Sequence, residues 1–153
     1  MAREDFFCRL SALSKQLGID LQEVQLQQFY SYYTLLVEKN KVMNLTAITE
    51  EDDVIVKHFI DSLAMAKLNV SRETFSNWIE GKRCMDVGTG AGFPGLAIKI
   101  AFPGISLSLS DSLQKRIHFL EEVVQKLGLK GVDFHHGRAE DLGKKPELRE
   151  QYD

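Results

Sequence analysis

The sequence has 153 residues, of which 44% are hydrophobic and 27% are charged, with a formal net charge of −3 at pH 7. These values are typical of one ordinary globular domain and exclude a disordered or low-complexity chain. Because the chain is not strongly basic, any contact with nucleic acid must come from local basic patches and shape rather than from bulk attraction.

The two cysteines and the N-terminus bear on the cellular compartment. Cys8 and Cys84 lie far apart and form no Cys-x-x-Cys motif, so we predict reduced thiols and neither a disulfide nor a zinc site. The N-terminus lacks the basic region and apolar core of a signal peptide, and no apolar run approaches the roughly 20 residues of a membrane span. We expect a cytoplasmic protein without a membrane partner or a bound metal, and we expect it to be a monomer.

Residues 1–82 are predicted to form an N-terminal helical cap, which begins with two helices. The first covers residues 3–17, where apolar side chains recur at helical spacing, and Gly18 ends it. Asp20 caps a longer second helix, roughly residues 21–38. The apolar and aromatic stripe of this helix is predicted to face the core and contains Leu26, Phe29, Tyr30, Tyr33, Leu36 and Val37.

A third helix is predicted from residue 49 or 50 to about residue 67. Its inner face is assigned to Val56, Ile60, Leu63 and Ala64. His58, Asp61 and Ser62 follow one another at i, i+3 and i+4, so their side chains can touch. A hydrogen-bonded histidine and aspartate can carry out proton chemistry, but such a pair is more often a structural clip. We therefore interpret His58 as structural or as a contact to the substrate.

Residues 83–153 alternate between strands and helices, which predicts βαβ units and a parallel sheet. The strands are expected at residues 84–87, 105–109 and 132–135, and the helices at residues 93–102 and 113–127. A doubly wound domain normally has five or six strands, whereas three are found here. We therefore expect the first part of a Rossmann-like α/β domain, with an incomplete sheet, and interpret the sequence as the front part of a longer protein.

A glycine-rich loop (residues 88–95, the glycine loop) follows the first of these strands and precedes a predicted helix. Its four glycines are Gly88, Gly90, Gly92 and Gly95. Glycine permits positive φ and lets a ligand approach the backbone closely, and the start of a helix supplies unpaired N–H groups. The order strand, glycine loop and helix indicates a site for a nucleotide-type cofactor.

The type of cofactor depends on the residues around the glycines. The Gly-x-Gly-x-x-Gly spacing fits a dinucleotide fingerprint, and Asp111 ends the second strand, where an acid that binds ribose hydroxyls is expected. Asp86 can interact with a cationic methionine group, and Pro94 enters the first helical turn and removes an N–H donor that a pyrophosphate would use. These features favour S-adenosylmethionine over a dinucleotide. A nicotinamide oxidoreductase and a non-catalytic RNA-binding module stay open as alternatives.

Several short motifs together carry a specific resemblance. They lie at residues 44–46, 57–62, 86–95, 110–112 and 115–116. In this order they resemble the RsmG family of bacterial small-subunit ribosomal RNA guanine-N7 methyltransferases, also called glucose-inhibited division protein B. The resemblance implies a class I methyltransferase fold of seven strands. It also implies methyl transfer from S-adenosyl-L-methionine to N7 of one guanine in 16S ribosomal RNA, either free or within the small ribosomal subunit.

The resemblance also implies a set of cofactor contacts. It places them at Gly88 and Phe93 in the glycine loop and at Ala139 and Glu140 after the third strand, with Asp111 at the ribose. A further cofactor-contacting arginine of the family falls in the fourth strand region, after the residues of this sequence. With the residues inferred from the loop itself, the predicted cofactor site contains Asp86, Gly88, Gly90, Gly92, Phe93, Asp111, Ala139 and Glu140.

The implied reaction needs little catalytic machinery. Guanine N7 carries a free lone pair, so we predict no essential general base and no catalytic residue, and catalysis mostly by positioning. Lys115 and Arg116 are the favoured RNA contacts, because their helix opens beside the edge where ligands bind in open α/β sheets. His135 and His136 point to opposite faces of a strand and cannot bind a metal together. The full set of candidate RNA contacts is Asn44, His58, Lys115, Arg116 and Arg138.

Overall fold

The structure, a computed structural model, describes residues 2–70 and 73–153. Its helices are α1 (Arg3–Gln16), α2 (Glu23–Met43), α3 (residues 51–67), α4 (Phe75–Ile79), α5 (Gly95–Ala101), α6 (Gln114–Leu127) and α7 (Ala139–Leu142). Its strands are β1 (Asn69–Val70), β2 (Glu73–Thr74), β3 (Arg83–Val87), β4 (Ser106–Asp111) and β5 (Val132–His136). The short strands β1 and β2 pair antiparallel, and the other three form a parallel sheet in the order β3-β4-β5.

The parallel sheet confirms the predicted α/β fold, with α5 joining β3 to β4 and α6 joining β4 to β5. The central strand β4 alternates serine and leucine, so its two faces differ. Leu109 is fully buried, and a Cβ at Gly95 would touch it, which shows that the leucine face carries α5. On the opposite face, Ser108 accepts a hydrogen bond from the Tyr152 hydroxyl at 3.0 Å.

The first helix agrees with its prediction, whereas the start of the second does not. Gly18 follows α1 with a φ of +79°, as expected of a glycine that ends a helix. Asp20 is not the N-cap of α2, because Gln22 occupies that position and the helix begins at Glu23. The backbone N–H of Gln22 donates to the side-chain carbonyl of Gln25 at 2.7 Å, which closes the first turn.

The second helix also continues further than its apolar pattern predicts. It ends at Met43 rather than near residue 38, and its last turns lie beside α6, where Lys39 and Glu122 form an ion pair at 3.4 Å. Asn44 ends the helix in the left-handed conformation, with a φ of +47°. Asparagine adopts this conformation more readily than most side chains, so it serves here in place of glycine.

The third helix spans the predicted residues, but its middle is wound differently. Val54–Ile60 forms a π-helix between α-helical turns at Glu51–Asp53 and Asp61–Leu63. A π-helix bonds each residue to i+5, so its side chains are rotated relative to those of an α-helix. The predicted inner residues Val56 and Ala64 are therefore exposed, and these two assignments are wrong. The buried residues of α3 are Val54, Ile55, Phe59, Ser62 and Leu63.

Four short elements have no counterpart in the prediction, namely β1, β2, α4 and α7. Each has five residues or fewer. Such a segment is too short to show a periodic apolar pattern, so periodicity does not predict it. The start of α4 does carry a local signal, because the Thr74 side chain accepts a hydrogen bond from the N–H of Asn77 at 3.4 Å.

One hydrophobic core runs through the helical part and the sheet. α2 contributes three fully buried side chains, Phe29, Tyr32 and Leu36, and it packs against both α5 and α6. Tyr32 is missing from the predicted stripe, although it lies three residues after Phe29 and four before Leu36. The division into a helical cap (1–82) and a Rossmann-like part (83–153) stays a prediction.

Tyr32 also connects α2 to the glycine loop. Its ring stacks on that of Phe93, with centroids 5.3 Å apart and planes 14° from parallel. Gly92 has a φ of +104°, and a Cβ there would collide with the Tyr32 hydroxyl and lie 2.9 Å from Leu96. Both the backbone conformation and the packing therefore require glycine at this position.

We expect Gly92→Ala to lower the free energy of unfolding by about 3 kcal/mol, because overpacking costs about 1–3 kcal/mol and positive φ costs about 1–2 kcal/mol. Gly90→Ala is the matched control. Gly90 also has positive φ, at +60°, but no described atom lies within 4 Å of a Cβ there. It should lose only the conformational part, about 1–2 kcal/mol. Urea denaturation measures the free energy of unfolding of both variants. Equal losses would show that the close packing of Gly92 against Tyr32 does not add to the cost.

Candidate cofactor-binding site

A cavity of about 310 Å³ lies over the carboxyl ends of the parallel strands. We call it the cofactor cavity, and residues 87–88, 110–112 and 137–140 line it together with Arg116. These segments follow β3, end β4 and follow β5. Ligands of open α/β sheets bind at this edge, beyond the carboxyl ends of the strands. The fold therefore brings distant parts of the sequence to one concave site.

Four of the predicted cofactor residues line this cavity, namely Gly88, Asp111, Ala139 and Glu140. Two predicted RNA contacts, Arg116 and Arg138, line it as well. The other predicted cofactor residues do not line the part of the cavity that the structure describes; they are Asp86, Gly90, Gly92 and Phe93. The assignments themselves stay predictions, but the structure divides them into two groups with different surroundings.

Asp111 holds the glycine loop as well as lining the cavity. Its side chain is buried, with 4% exposure. One carboxylate oxygen accepts the N–H of Gly90 at 2.9 Å, and the other accepts the N–H of Leu113 at 3.0 Å and approaches Arg116 at 3.5 Å. The end of β4 is thus bonded to the loop on one side and to the beginning of α6 on the other. A ribose hydroxyl would meet a carboxylate that already has three protein partners.

Asp86 on β3 also forms hydrogen bonds with the glycine loop. One of its oxygens accepts the Thr89 hydroxyl at 2.7 Å and the N–H of Gly95 at 2.9 Å. Burial raises the pKa of the Asp86 carboxyl above its ordinary value, while the hydrogen bonds from Thr89 and Gly95 act in the opposite direction. The geometry therefore shows Asp86 bonded within the loop. Its predicted contact with a cationic group stays untested.

The start of α5 does not offer the free N–H groups that its sequence suggests. Pro94 is the N-cap rather than part of the first turn, and the helix begins at Gly95. The N–H of Gly95 is bonded to Asp86, and the N–H of Leu96 is bonded to the carbonyl of Gly92 at 2.8 Å. These two donors are engaged inside the protein, so the prediction of unpaired N–H groups at the helix start is wrong for them.

Phe93 and His58 form an aromatic pair on the helical side of the loop. Their ring centroids are 4.4 Å apart and their planes differ by 2°. The Nε2 atom of His58 lies 2.8 Å from the hydroxyl oxygen of Thr46, which is therefore its hydrogen-bond partner. Ser62 donates to the backbone carbonyl of His58 at 2.6 Å, whereas Asp61 acts on the imidazole through its charge. The predicted His–Asp clip is thus replaced by a Thr–His contact.

Burial lowers the pKa of His58 below its ordinary value, and the nearby charge of Asp61 raises it, with burial the larger effect. The folded state thus favours the neutral imidazole. The neutral ring can form one hydrogen bond with Thr46 while its face rests on Phe93. Sequence reasoning missed Thr46 as a partner, because twelve residues separate it from His58 and only the fold brings them together.

The remaining candidates lie in different places. Lys115 is exposed and does not line the cavity, whereas Arg116 beside it faces Asp111. Asn44 is exposed at the end of α2. Nε2 of His136 lies 3.1 Å from the carbonyl oxygen of Ser112.

The described residues contain no group of three His, Cys, Asp or Glu side chains placed to hold a metal ion. Within 2–70 and 73–153, no helix combines the length and apolar character of a membrane span.

The fold and the site together define a class of protein. A parallel sheet, a glycine loop after β3, an acid at the end of β4 and a cavity over the strand ends are the features of a Rossmann-like cofactor-binding domain. The family model described as "GidB: rRNA small subunit methyltransferase G" matches residues 25–153. The chain belongs to this methyltransferase family, which confirms the resemblance found in its motifs.

Curated relatives with the same description are similar over most of the chain, and all are called ribosomal RNA small subunit methyltransferase G. The relative from Leuconostoc mesenteroides is 48% identical over 157 residues, covering 100% of this chain and 60% of that protein. The relative from Thermoanaerobacter sp. (strain X514) is 49% identical, covering 92% and 55%. The relative from Alkaliphilus oremlandii is 52% identical, covering 90% and 54%. The chain thus spans a little over half of these relatives' length.

Solved structures show a weaker likeness. A protein-L-isoaspartate O-methyltransferase overlaps 99% of this chain and 46% of its own, with a TM-score of 0.44 and 16% identity.

We expect Asp111→Ala to lower the free energy of unfolding by about 1–3 kcal/mol, because the part-buried hydrogen bonds from the N–H groups of Gly90 and Leu113 are lost. Glu140→Ala is the matched control. Glu140 lines the same cavity but is exposed, so its removal should change stability by about 0.5 kcal/mol or less. Urea denaturation of both variants decides the matter. A loss as small for Asp111 as for Glu140 would show that the carboxylate does not hold the loop.

A second prediction concerns pH. Because the pKa of His58 is lower in the folded state, the unfolded chain binds more protons below about pH 6.5, and stability falls as pH falls through this value. His58→Phe keeps a planar ring but cannot titrate, so its stability should fall less between about pH 7.5 and about pH 5.5. Identical slopes in His58→Phe and the original chain would contradict this account.

Proposed function

We propose that the protein is a cytoplasmic enzyme that transfers a methyl group from S-adenosyl-L-methionine to N7 of a guanine in 16S ribosomal RNA, free or within the small ribosomal subunit. The observation that carries this proposal is that the family match covers the glycine loop and every wall of the cofactor cavity. The chain spans only part of its relatives, so the activity belongs to the whole protein. These residues supply its cofactor side.

The cavity suits the adenosine part of S-adenosyl-L-methionine. Asp111 and Glu140 supply two carboxyl groups in its wall that can accept hydrogen bonds from ribose hydroxyls or an amino group. Gly88 leaves the backbone open to a flat ligand, because no described atom lies within 4 Å of a Cβ there. Val87 is 54% exposed at this edge and offers an apolar contact. When bound, the cofactor supplies a methyl group on a positively charged sulfur. The task of these residues is to bind and orient it.

The reaction at N7 fits a site without a general base. N7 of guanine carries a lone pair at the major-groove edge, so no proton has to leave before methylation. The protein then has to align the base with the methyl donor and exclude competing orientations. His58 is bonded to Thr46 and stacked on Phe93, an arrangement suited to holding structure rather than to moving protons. We therefore propose that no side chain of this chain acts as an acid or base.

The helix start bears on the dinucleotide alternative. A pyrophosphate would need free N–H donors at the start of α5, and the N–H groups of Gly95 and Leu96 are already bonded to Asp86 and Gly92. This arrangement disfavours a nicotinamide oxidoreductase.

We propose that the Rossmann-like part (83–153) binds the cofactor and that the helical cap (1–82) supports it. We also propose that the protein acts as a monomer.

Methyl incorporation tests the proposal. The chain, and a version extended at its C-terminus to the length of its relatives, are incubated with S-adenosyl-L-methionine labelled at the methyl group. The substrates are undermethylated small-subunit ribosomal RNA, naked or in the subunit. We expect label in RNA with the extended version, and strand cleavage specific for 7-methylguanine at a single position. No label with either protein, despite retention of the cofactor in ultrafiltration, would favour the non-catalytic RNA-binding alternative.

RNA binding yields a further prediction, because Lys115 is exposed at the start of α6, next to the cavity. If Lys115 contacts a phosphate, Lys115→Ala should reduce the slope of log affinity against log salt by about 1. Lys126→Ala is the control, since Lys126 is exposed in the last turn of the same helix. Filter binding to small-subunit RNA at several salt concentrations measures the slopes. An equal slope for Lys115→Ala and the original chain would remove Lys115 from the interface.

A further inference from the structure

Aromatic rings that do not line the cofactor cavity hold part of the glycine loop. Phe93, in the loop, stacks on His58 of α3 at 4.4 Å and on Tyr32 of α2 at 5.3 Å, and both pairs are nearly parallel. The Tyr32 hydroxyl also donates to the carbonyl of Ala91 at 2.5 Å. The loop is therefore attached to two helices of the N-terminal part through Ala91 and Phe93.

The two aromatic supports differ in how they are fixed. Tyr32 is fully buried, so the surrounding core holds its ring in place. His58 is half-buried and gains its orientation from a hydrogen bond between Nε2 and the Thr46 hydroxyl at 2.8 Å. Rotation of the imidazole away from Phe93 would break this bond. Thr46 is thus the group that keeps the His58 ring parallel to Phe93.

Thr46 is in turn held at a fixed position. Its N–H donates to the side-chain oxygen of Asn40 in α2 at 2.9 Å, and its hydroxyl oxygen accepts the N–H of Ile48 at 3.0 Å. A continuous series of contacts therefore runs from Asn40 through Thr46 and His58 to Phe93. It links the end of α2, the connection to α3, and the glycine loop.

We propose that Thr46 and His58 are positioning residues that hold the glycine loop in shape from the helical side, acting through the ring of Phe93. The consequence for the cofactor rests on the proposed function, because the loop has a binding task only if a cofactor occupies the cavity beside it. Neither residue touches the cavity wall in the described part of the chain, so both act at a distance from the ligand.

Amide hydrogen exchange, followed by nuclear magnetic resonance in the chain without ligand, tests this proposal. The N–H groups of Gly90 and Gly92 report on the loop, because they are bonded to Asp111 at 2.9 Å and to the carbonyl of Thr89 at 3.0 Å. Thr46→Val removes the hydroxyl with little change in volume and should speed exchange at both glycines by about fivefold. Thr46→Ser keeps the hydroxyl and should restore the original rates.

The histidine variants test the second link in the same way. His58→Leu removes the stacked ring and should speed exchange at the two loop glycines by about tenfold. His58→Phe keeps a ring that can stack but cannot bond to Thr46, so its exchange should match that of Thr46→Val, about fivefold faster than in the original chain. His118→Leu is the matched control at an exposed site of α6 and should leave the loop unchanged. The N–H of Leu109 in the middle of β4 serves as the internal reference for global opening.

Two results would overturn the proposal. Unchanged exchange at Gly90 and Gly92 in both Thr46→Val and His58→Leu would show that the loop does not depend on these residues. An equal increase at Leu109, without recovery in Thr46→Ser, would show that the two residues stabilise the core in general. The measurement uses neither cofactor nor RNA, so a failed methylation assay leaves it valid, and its own failure leaves the methylation proposal valid.

Discussion

The glycine loop depends on two carboxylates that project from neighbouring strands. Asp86 on β3 binds Thr89 and Gly95, and Asp111 at the end of β4 binds Gly90. Glycines are highly mobile in the unfolded chain, so a loop rich in them needs fixed partners to adopt one shape. The parallel register of β3 and β4 sets the distance between the two acids. Burial and the nearby charge of Asp111 raise the pKa of the Asp86 carboxyl, and the hydrogen bonds from Thr89 and Gly95 offset only part of this effect.

The same loop contacts two different environments. Gly88 lines the polar cofactor cavity, whereas Phe93 belongs to the aromatic group of Tyr32, His58 and Phe93. A cofactor domain of this kind usually reaches its shape through its own sheet and helices. Here α2 and α3 complete it, because they supply the rings against which the loop rests. The helical part is therefore part of the structure of the site, and one core joins the two.

Electrostatic roles at the cavity are decided by the direction in which each side chain points. Lys115 and Arg116 are neighbours in sequence, yet successive residues on a helix point about 100° apart. Arg116 consequently turns towards Asp111 and the cavity, whereas Lys115 faces solvent. A pair that looks like one basic patch in sequence is therefore divided between the wall of the cavity and the solvent-exposed surface.

The sequence by itself determined the parallel α/β arrangement, the glycine loop, the position of Asp111 at the end of a strand, and the family. These features depend on local periodicity and on short motifs with fixed spacing. Only the tertiary structure decided which groups meet across long separations. The π-helix in α3 rotated its buried face, and the contact of Thr46 with His58 replaced the local pair of His58 with Asp61. Tyr32 became a support for the loop because α2 packs beside it, and no pattern within one helix contains that information.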